Sequence, residues 1–532
     1  MTWRIVRKQK TAHSVALAWS HRSTIFGILI LIACAILIQI GIPTTAVAQQ
    51  VAVREIAKIT AEDGQAVDFL SFLALNRDAT ILVGGAIFDA DRGLDAGSAY
   101  IWERDLGGAN NWGLRKKLVP ADLSELDLFG WDPDISGDTI AVGTRAGGLE
   151  SELFTTSGAA YIFQRDSGGE NNWDQVKKLM SPSGDSSDNY GTSIELEGET
   201  LVVGAGGSGQ GLGEVHVYGR NQGGPDNWGL IKTITAPDGA ANDQFGLDSV
   251  SIQLSGDTLL VAAPCDDDLG TDSGSVYFFE RNQGGMDNWG FVKKLTAFDG
   301  VAGDQFGSGL SLSGDLALVG AGLKDDQGLD SGAAYLFERN RGGPNNWGLA
   351  KKLLPSDRTR TGDNFGLSSG LEGNIAVVAA WGNGGSSAAA KSGAVYVFHR
   401  NQGGPDNWGE VTKVEPSFYP ELGFYPKAFG CCGDSPDLQS GLLAVGAGGD
   451  DQQAVEAGAI YLFELTQLPT LTIESAVIIS WPIDAEGYIL EAAANVDGPW
   501  NLVEAEPEMD GDQTTVVVKA TQEMQWFRLR MP

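Results

Sequence analysis

Past residue 50 the chain alternates between short apolar runs and breaks rich in Gly, Asn and Asp. No segment sustains the 3.6-residue apolar period of an amphipathic helix. Between residues 306 and 353 the runs fall at 308–312, 316–321, 333–338 and 349–353, each of strand length and β-prone composition. Ser313-Gly314-Asp315 is a tight-turn signature, so the first two runs form a hairpin. The stretch 340–347 is rich in Gly, Pro and Asn and turns the third run into the fourth.

This four-run unit recurs about every sixty residues. Its second half reads Gly97-Ser98-Ala99-Tyr100-Ile101-Trp102-Glu103-Arg104, then Asn110-Asn111-Trp112-Gly113, then Lys116-Lys117-Leu118. The string returns at 158–179, 213–234, 274–295, 332–353 and 393–414, and a truncated copy lies at 458–464. Phe-Gly or Tyr-Gly opens six units, at Phe129-Gly130, Tyr190-Gly191, Phe245-Gly246, Phe306-Gly307, Phe365-Gly366 and Phe429-Gly430. The first copy is degenerate, with Phe69-Leu70 at that place. A four-stranded unit cannot bury both its faces alone, and radial stacking of such sheets solves the problem. The expected fold is all-β: a seven-bladed β-propeller of four-stranded blades over residues 51–467. The last copy stops after its third strand, while an orphan outer-type strand stands at 53–60. Pairing the two closes the ring and removes two exposed edges.

The Phe-Gly dipeptides, with Val83-Gly84-Gly85-Ala86, Val203-Gly204-Ala205, Val261-Ala262-Ala263-Pro264, Val319-Gly320-Ala321 and Val445-Gly446-Ala447, resemble FG-GAP repeats. These are the blades of integrin α-subunit propellers and of many secreted bacterial proteins. The resemblance implies a binding or cell-adhesion role; a fold of this kind hosts many functions. Integrin-type blades often carry a nine-residue calcium loop between the two halves of the motif. Here only a strand, Ser313-Gly314-Asp315 and another strand separate Phe306-Gly307 from Val319-Gly320-Ala321, so that site does not carry over. Acidic clusters do follow the second half. Asp266, Asp268 and Asp272, and Asp325, Asp326 and Asp330, are the candidate ligands of a calcium ion, which takes 6–8 oxygens. The competing reading is a solvated acidic loop with Asx turns. For Asp238, Asp243, Asp299, Asp304, Asp357 and Asp363, ahead of the Phe-Gly dipeptides, turn chemistry is favoured.

The tryptophans at 112, 173, 228, 289, 347 and 408 invite a ligand reading. A feature equal in successive units is more often structural, and these are expected to pin the outer hairpins. Sites are expected where the blades differ: Trp131 and segments 145–156, 381–391 and 418–434. Residues 468–532 break the repeat and read as short strands of a small β-sandwich-like module with an appended binding role.

Residues 1–24 are basic without an acid, 25–38 are apolar and uncharged, and Ala46-Val47-Ala48 offers a cleavage site. Segment 1–48 is therefore read as a signal peptide, with a membrane anchor as the alternative. The expected location is outside the cell or at its surface, with an extracellular protein or glycan as partner. A net charge of −33 argues against a nucleic-acid binder, because binding phosphates requires a basic face. Cys265, Cys431 and Cys432 make no disulfide framework. Four His, two of them in the leader, and the lack of a nucleophile or metalloprotease motif leave no catalytic residue to name. A carbohydrate-active enzyme and a structural matrix protein are the alternatives to a non-catalytic binder.

Overall fold

The structure, a computed structural model, describes residues 38–40, 51–145, 158–185, 187–247, 250–357, 361–383, 392–416, 429–430, 436–451, 453–467, 476–482, 489–493, 501–502, 508–510, 513–519 and 526–530. Contacts divide the chain into two units, Gln49–Pro469 and a smaller one that joins Met1–Ala48 to Thr470–Pro532.

The larger unit consists of seven four-stranded antiparallel sheets. Blade 5 shows the plan. Inner strand Phe306–Ser313 pairs with Leu316–Ala321, which pairs with Ala333–Glu338, which pairs with outer strand Gly348–Leu353. Blades 1–4 and 6 begin at inner strands Leu70–Leu75, Trp131–Ser136, Tyr190–Glu197, Ile252–Ser255 and Phe365–Glu372. Blade 7 is built from both ends of the unit. Its inner three strands are Asp437–Gln439, Leu442–Ala447 and Ala459–Gln467, and its outer strand is Val51–Ile59. Arg54 stands opposite Glu464 and Ile59 opposite Ile460, so the expected closure is present.

The two halves of the repeat motif meet between blades. A Cβ on Gly85, Gly143, Gly204 or Gly320 would overlap the carbonyl oxygen of Gly130, Gly191, Gly246 or Gly366 in the next blade. Gly130, Gly307 and Gly366 hold φ of 107°, 104° and 102°, open to glycine and strained for a side chain. The first copy is corrected by this geometry. Leu70, not Phe69, takes the Phe position: it bridges Gly458 as Phe129 bridges Gly97, and Ser71 then faces Gly446. The dipeptide pattern alone misplaces the register by one residue.

The apolar clusters are also shared between blades. Trp347 of blade 5 stacks on Phe278 of blade 4 with ring centroids 4.3 Å apart, and it lies with Leu260 and Val276 in one buried cluster. Trp173, Trp228, Trp289 and Trp408 likewise cluster with the third strand of the preceding blade, and Trp112 with Ile460 and Leu462 of blade 7. The tryptophans therefore rivet each blade to its neighbour as well as closing their own outer hairpins.

In the smaller unit Ala476–Pro482 pairs with Gln513–Lys519 and Ile489–Ala493 pairs with Trp526–Arg530. Of residues 1–48, only Ile38–Ile40 is described; it pairs with Val477–Ile479. The rest of segment 1–48, residues 468–475, Cys431 and Cys432 lie outside the described residues.

Candidate functional site

Antiparallel order fixes which connections share an end of the propeller. The inner-to-second turns and the third-to-outer turns lie at one end, and the second-to-third and blade-to-blade connections lie at the other. The first end is uniform. In blades 2–6 the inner hairpin turns on Gly137, Gly198, Gly256, Gly314 and Gly373, with φ of 54–60°. Glycine first in a two-residue loop is the chemistry of a primed hairpin turn. The second end varies in length. Blade-to-blade connections run from 181–189 to 415–436, and second-to-third connections from 206–213 to 144–158. The candidate segments 145–156, 381–391 and 418–434 all belong to this variable end, and apart from Arg145, Trp381, Gly382, Asn383, Phe429 and Gly430 they lie outside the described residues. Trp131 corrects an expectation: it is buried, packed on Phe72 at 4.8 Å, with Arg145 over its ring at 4.9 Å.

The candidate calcium ligands also sit at the variable end, and a lysine lies among them. In blade 4, Lys294 Nζ is 2.9 Å from Asp238, 2.9 Å from Asp266 and 2.7 Å from Asp268. The Tyr277 hydroxyl donates to Asp266 at 2.9 Å and to Asp238 at 3.0 Å. Burial opposes ionisation of Asp266, but hydrogen bonds from Lys294, the Asp268 N–H and Tyr277 hold its carboxyl below the usual range. Burial opposes the charged form of Lys294 too, and its hydrogen bonds to Asp268 and Asp266 nevertheless raise its pKa. In blade 5, Lys352 pairs with Asp326 and, at 2.6 Å, with Asp299. Asp272 and Asp330 donate their N–H to Asp267 and Asp325, and both hold left-handed backbone at φ 53° and 52°. Among the described residues, no group of three or more His, Cys, Asp or Glu could hold a metal ion.

The same lysine cluster recurs in blades 1, 2, 6 and 7 as Lys117 with Asp63 and Asp89, Lys178 with Asp122, Lys413 with Asp357, and Lys58 with Asp450. The aspartates ahead of the Phe-Gly dipeptides split accordingly. Asp238, Asp299 and Asp357 join lysine clusters, while Asp243 and Asp304 cap turns by accepting the N–H of Ala240 and Val301. Blade 3 is the exception. His216 takes the tyrosine place and Thr233 the lysine place, with His216 Nδ1 3.1 Å from Thr233 Oγ1 and Nε2 3.3 Å from Glu214. His216 and His399 are both buried, in different blades.

At the uniform end a cavity of about 610 Å³ lies on the axis, walled by inner strands of all seven blades. Side chains here cap backbone N–H groups of the next blade, which would otherwise form an open strand edge. Asp134 accepts from Leu196 at 2.6 Å, Gln253 from Leu312 at 3.3 Å, Ser313 from Gly373 at 3.4 Å and Asp437 from Leu75 at 2.7 Å. Glu197 and Glu372 make the corresponding links to Gly256 and Ser440. Burial pushes Asp134 up to about 7 and Asp437 up to about 6 against the N–H bonds that favour ionisation. Ala74 stands opposite Val83 where Asp134 stands opposite Ala141, so blade 1 offers no carboxylate at this level.

A family model described as the FG-GAP repeat matches residues 53–102, 112–163, 173–218, 228–279, 289–337 and 347–398. The chain belongs to the FG-GAP repeat family. Each match starts on, or one residue ahead of, the outer strand of one blade and ends on the third strand of the next, which is the phase that leaves Val51–Ile59 to complete blade 7. Among solved structures the chain is similar to the WD40 domain of Toxoplasma gondii coronin, at 10% identity over 80% of this chain and 88% of that one, TM-score 0.45. It is also similar to the Dos1 propeller (13% identity, 74% and 77% covered, TM-score 0.39) and to Sqt1 from Chaetomium thermophilum (12% identity, 78% and 99% covered, TM-score 0.41). No curated protein matches the chain.

Proposed function

We propose that this FG-GAP propeller is an exported, non-catalytic recognition protein that binds an extracellular protein or glycan through its variable end. The observation that carries the reading is the contrast between the two ends. The inner hairpin turns of blades 2–6 share one two-residue length, whereas the connections at the opposite end differ from blade to blade. Repeated residues are absorbed by packing and ion pairing, and recognition falls to segments free to differ. The basic-then-apolar segment 1–48 supports export, by a cleaved signal or an anchor. The acidic loops read as lysine-held rather than calcium-held, because Lys294 and Lys352 stand where the cation would.

The test is a binding array of glycans and surface proteins probed with the exported chain, with calcium and with chelator. Saturable binding is expected, lost on substitution of exposed residues in the connections of the variable end and retained on substitution of Met286 at the uniform end. Turnover of a glycan, or concentration-dependent assembly without saturable binding, overturns the reading.

A further inference from the structure

Large exposed apolar side chains gather at the variable end. Blade 4's second-to-third connection carries Leu269 (45% exposed), the connection from blade 4 to blade 5 carries Phe298 (70%) and Val301 (54%), and blade 5's second-to-third connection carries Leu329 (59%). Three facts tie these three connections to one another, and on the far side of the third the Leu329 carbonyl accepts the Gly362 N–H at 2.8 Å. Leu269 Cδ1 lies against Gly300. The N–H groups of Gly303 and Gln305 donate to the carbonyls of Thr271 and Asp272 at 2.8 and 3.1 Å. On the other side, Lys324 Nζ donates to the Asp299 carbonyl at 2.9 Å and pairs with Asp304 at 2.8 Å. The loops are thus fixed by backbone and buried ionic contacts, and their apolar residues are presented in place before any partner arrives.

The charge around this surface is negative. Lys294 and Lys352 are already engaged by Asp238, Asp266, Asp268, Asp299 and Asp326. Asp267, Asp272, Asp325 and Asp330 flank Leu269 and Leu329, and among the described residues none of these four has an ion-pair partner. Exposed aliphatic and aromatic side chains held in a patch mark a protein-binding surface, since water hydrates them poorly. Carboxylates without counter-ions set the sign of the partner. A sulfated or uronic-acid glycan is repelled, and a neutral glycan gains little from Leu and Val.

We infer that the blade 4–blade 5 rim docks a cationic, amphipathic protein segment, one in which Lys or Arg alternates with large apolar residues. The apolar side chains cover Leu269, Phe298, Val301 and Leu329, and the cations meet the four flanking aspartates. This rests on the recognition reading above and narrows it to one rim and one partner chemistry.

The experiment pans a random-peptide library on the exported chain and on its Phe298→Ser/Leu329→Ser variant. Both residues are exposed, so the variant should melt as the parent does, and a melt checks this first. Enriched peptides should combine Lys or Arg with Leu, Phe or Trp. A synthesised enriched peptide should bind the double variant at least about tenfold more weakly. Its affinity for the parent should fall as salt rises. Enrichment of peptides without net positive charge, or equal binding to parent and variant, overturns the inference. If that binding is instead lost on Leu94→Ser, the variable end still recognises and only this rim fails. If it maps to the third-to-outer turns, the recognition reading fails with it. Should the double variant lower the melting temperature, Val301→Ser alone replaces it, with loss of binding expected and unchanged binding overturning the inference.

Discussion

Lys294 Nζ lies 2.9 Å from the nearly buried Asp266 carboxylate, and the Tyr277 ring faces the same ammonium at 5.1 Å from its centroid. Outer strand, second-to-third loop and blade-to-blade loop are thereby tied at one charge. Replacing Lys294 by Met leaves Asp266 buried beside Asp238 and Asp268 without compensation. Removal of one partner from a buried pair costs about 3–5 kcal/mol. Partial exposure of Lys294 lowers the expectation here to about 2–3 kcal/mol. Urea titration measures it. Chelator should leave the parent's melting temperature unchanged, and a fall on chelation would show that an ion shares the cluster.

Closure of the ring depends on Val51–Ile59. Removing residues 51–60 exposes the full edge of Ala459–Gln467 and uncovers Ile460 and Leu462 of the cluster they share with Trp112. The loss should far exceed that of an ordinary terminal trim, with aggregation or a broad, non-cooperative melt. The exposed Arg54–Glu464 pair is a minor part of this, since such pairs contribute about 0–1 kcal/mol. Arg54→Ala should therefore shift the urea midpoint only slightly, and a shift as large as that of the deletion would refute this account of closure.

The glycine of the second strand is tested by Gly320→Ala. The new methyl would run into the Gly366 carbonyl oxygen of the next blade, a backbone atom that cannot rotate away. The blades must separate, and overpacking of this kind costs about 1–3 kcal/mol or more. In blade 4 the same place holds Ala262, facing Gly307, so Ala262→Gly should be tolerated there with a far smaller change in melting temperature. Equal effects of the two substitutions would refute the steric account.

Much of this architecture can be read from the chain because it is repeated. Phe306-Gly307, Gly320 and Trp347 return in step, and each repetition reports the same interblade contact. The lysine that holds Asp266 was equally legible, since Lys293-Lys294 recurs in the outer strands with the same period as the acidic loops. Its meaning was hidden because Lys294 follows Asp266 by a whole outer hairpin. The register at Leu70 was not legible, because Phe69 imitates the dipeptide locally while the partner that decides, Gly458, lies at the other end of the unit. The axial caps were not legible either. Asp134 reaches Leu196 and Asp437 reaches Leu75 only once the ring is closed.

Those caps make the last prediction one of pH. Asp134 and Asp437 have folded pKa values pushed above the unfolded value by burial, to about 7 and about 6. Between the unfolded value and these, the folded state binds more protons than the unfolded chain, so their contribution to stability falls as pH rises through this window. The aspartates of the lysine clusters have the opposite sign. Asp266 and Asp299 are held below their usual range, so what they contribute is present near neutrality and lost as acid protonates them. The melting temperature should therefore peak at mildly acidic pH and decline on both sides. Asp134→Asn keeps a carbonyl oxygen for the Leu196 N–H and removes the buried charge. It should raise the melting temperature at pH 8 by a few degrees and by clearly less at pH 5, which lies part-way through that window. A uniform effect at both values would mean that Asp134 acts through packing alone.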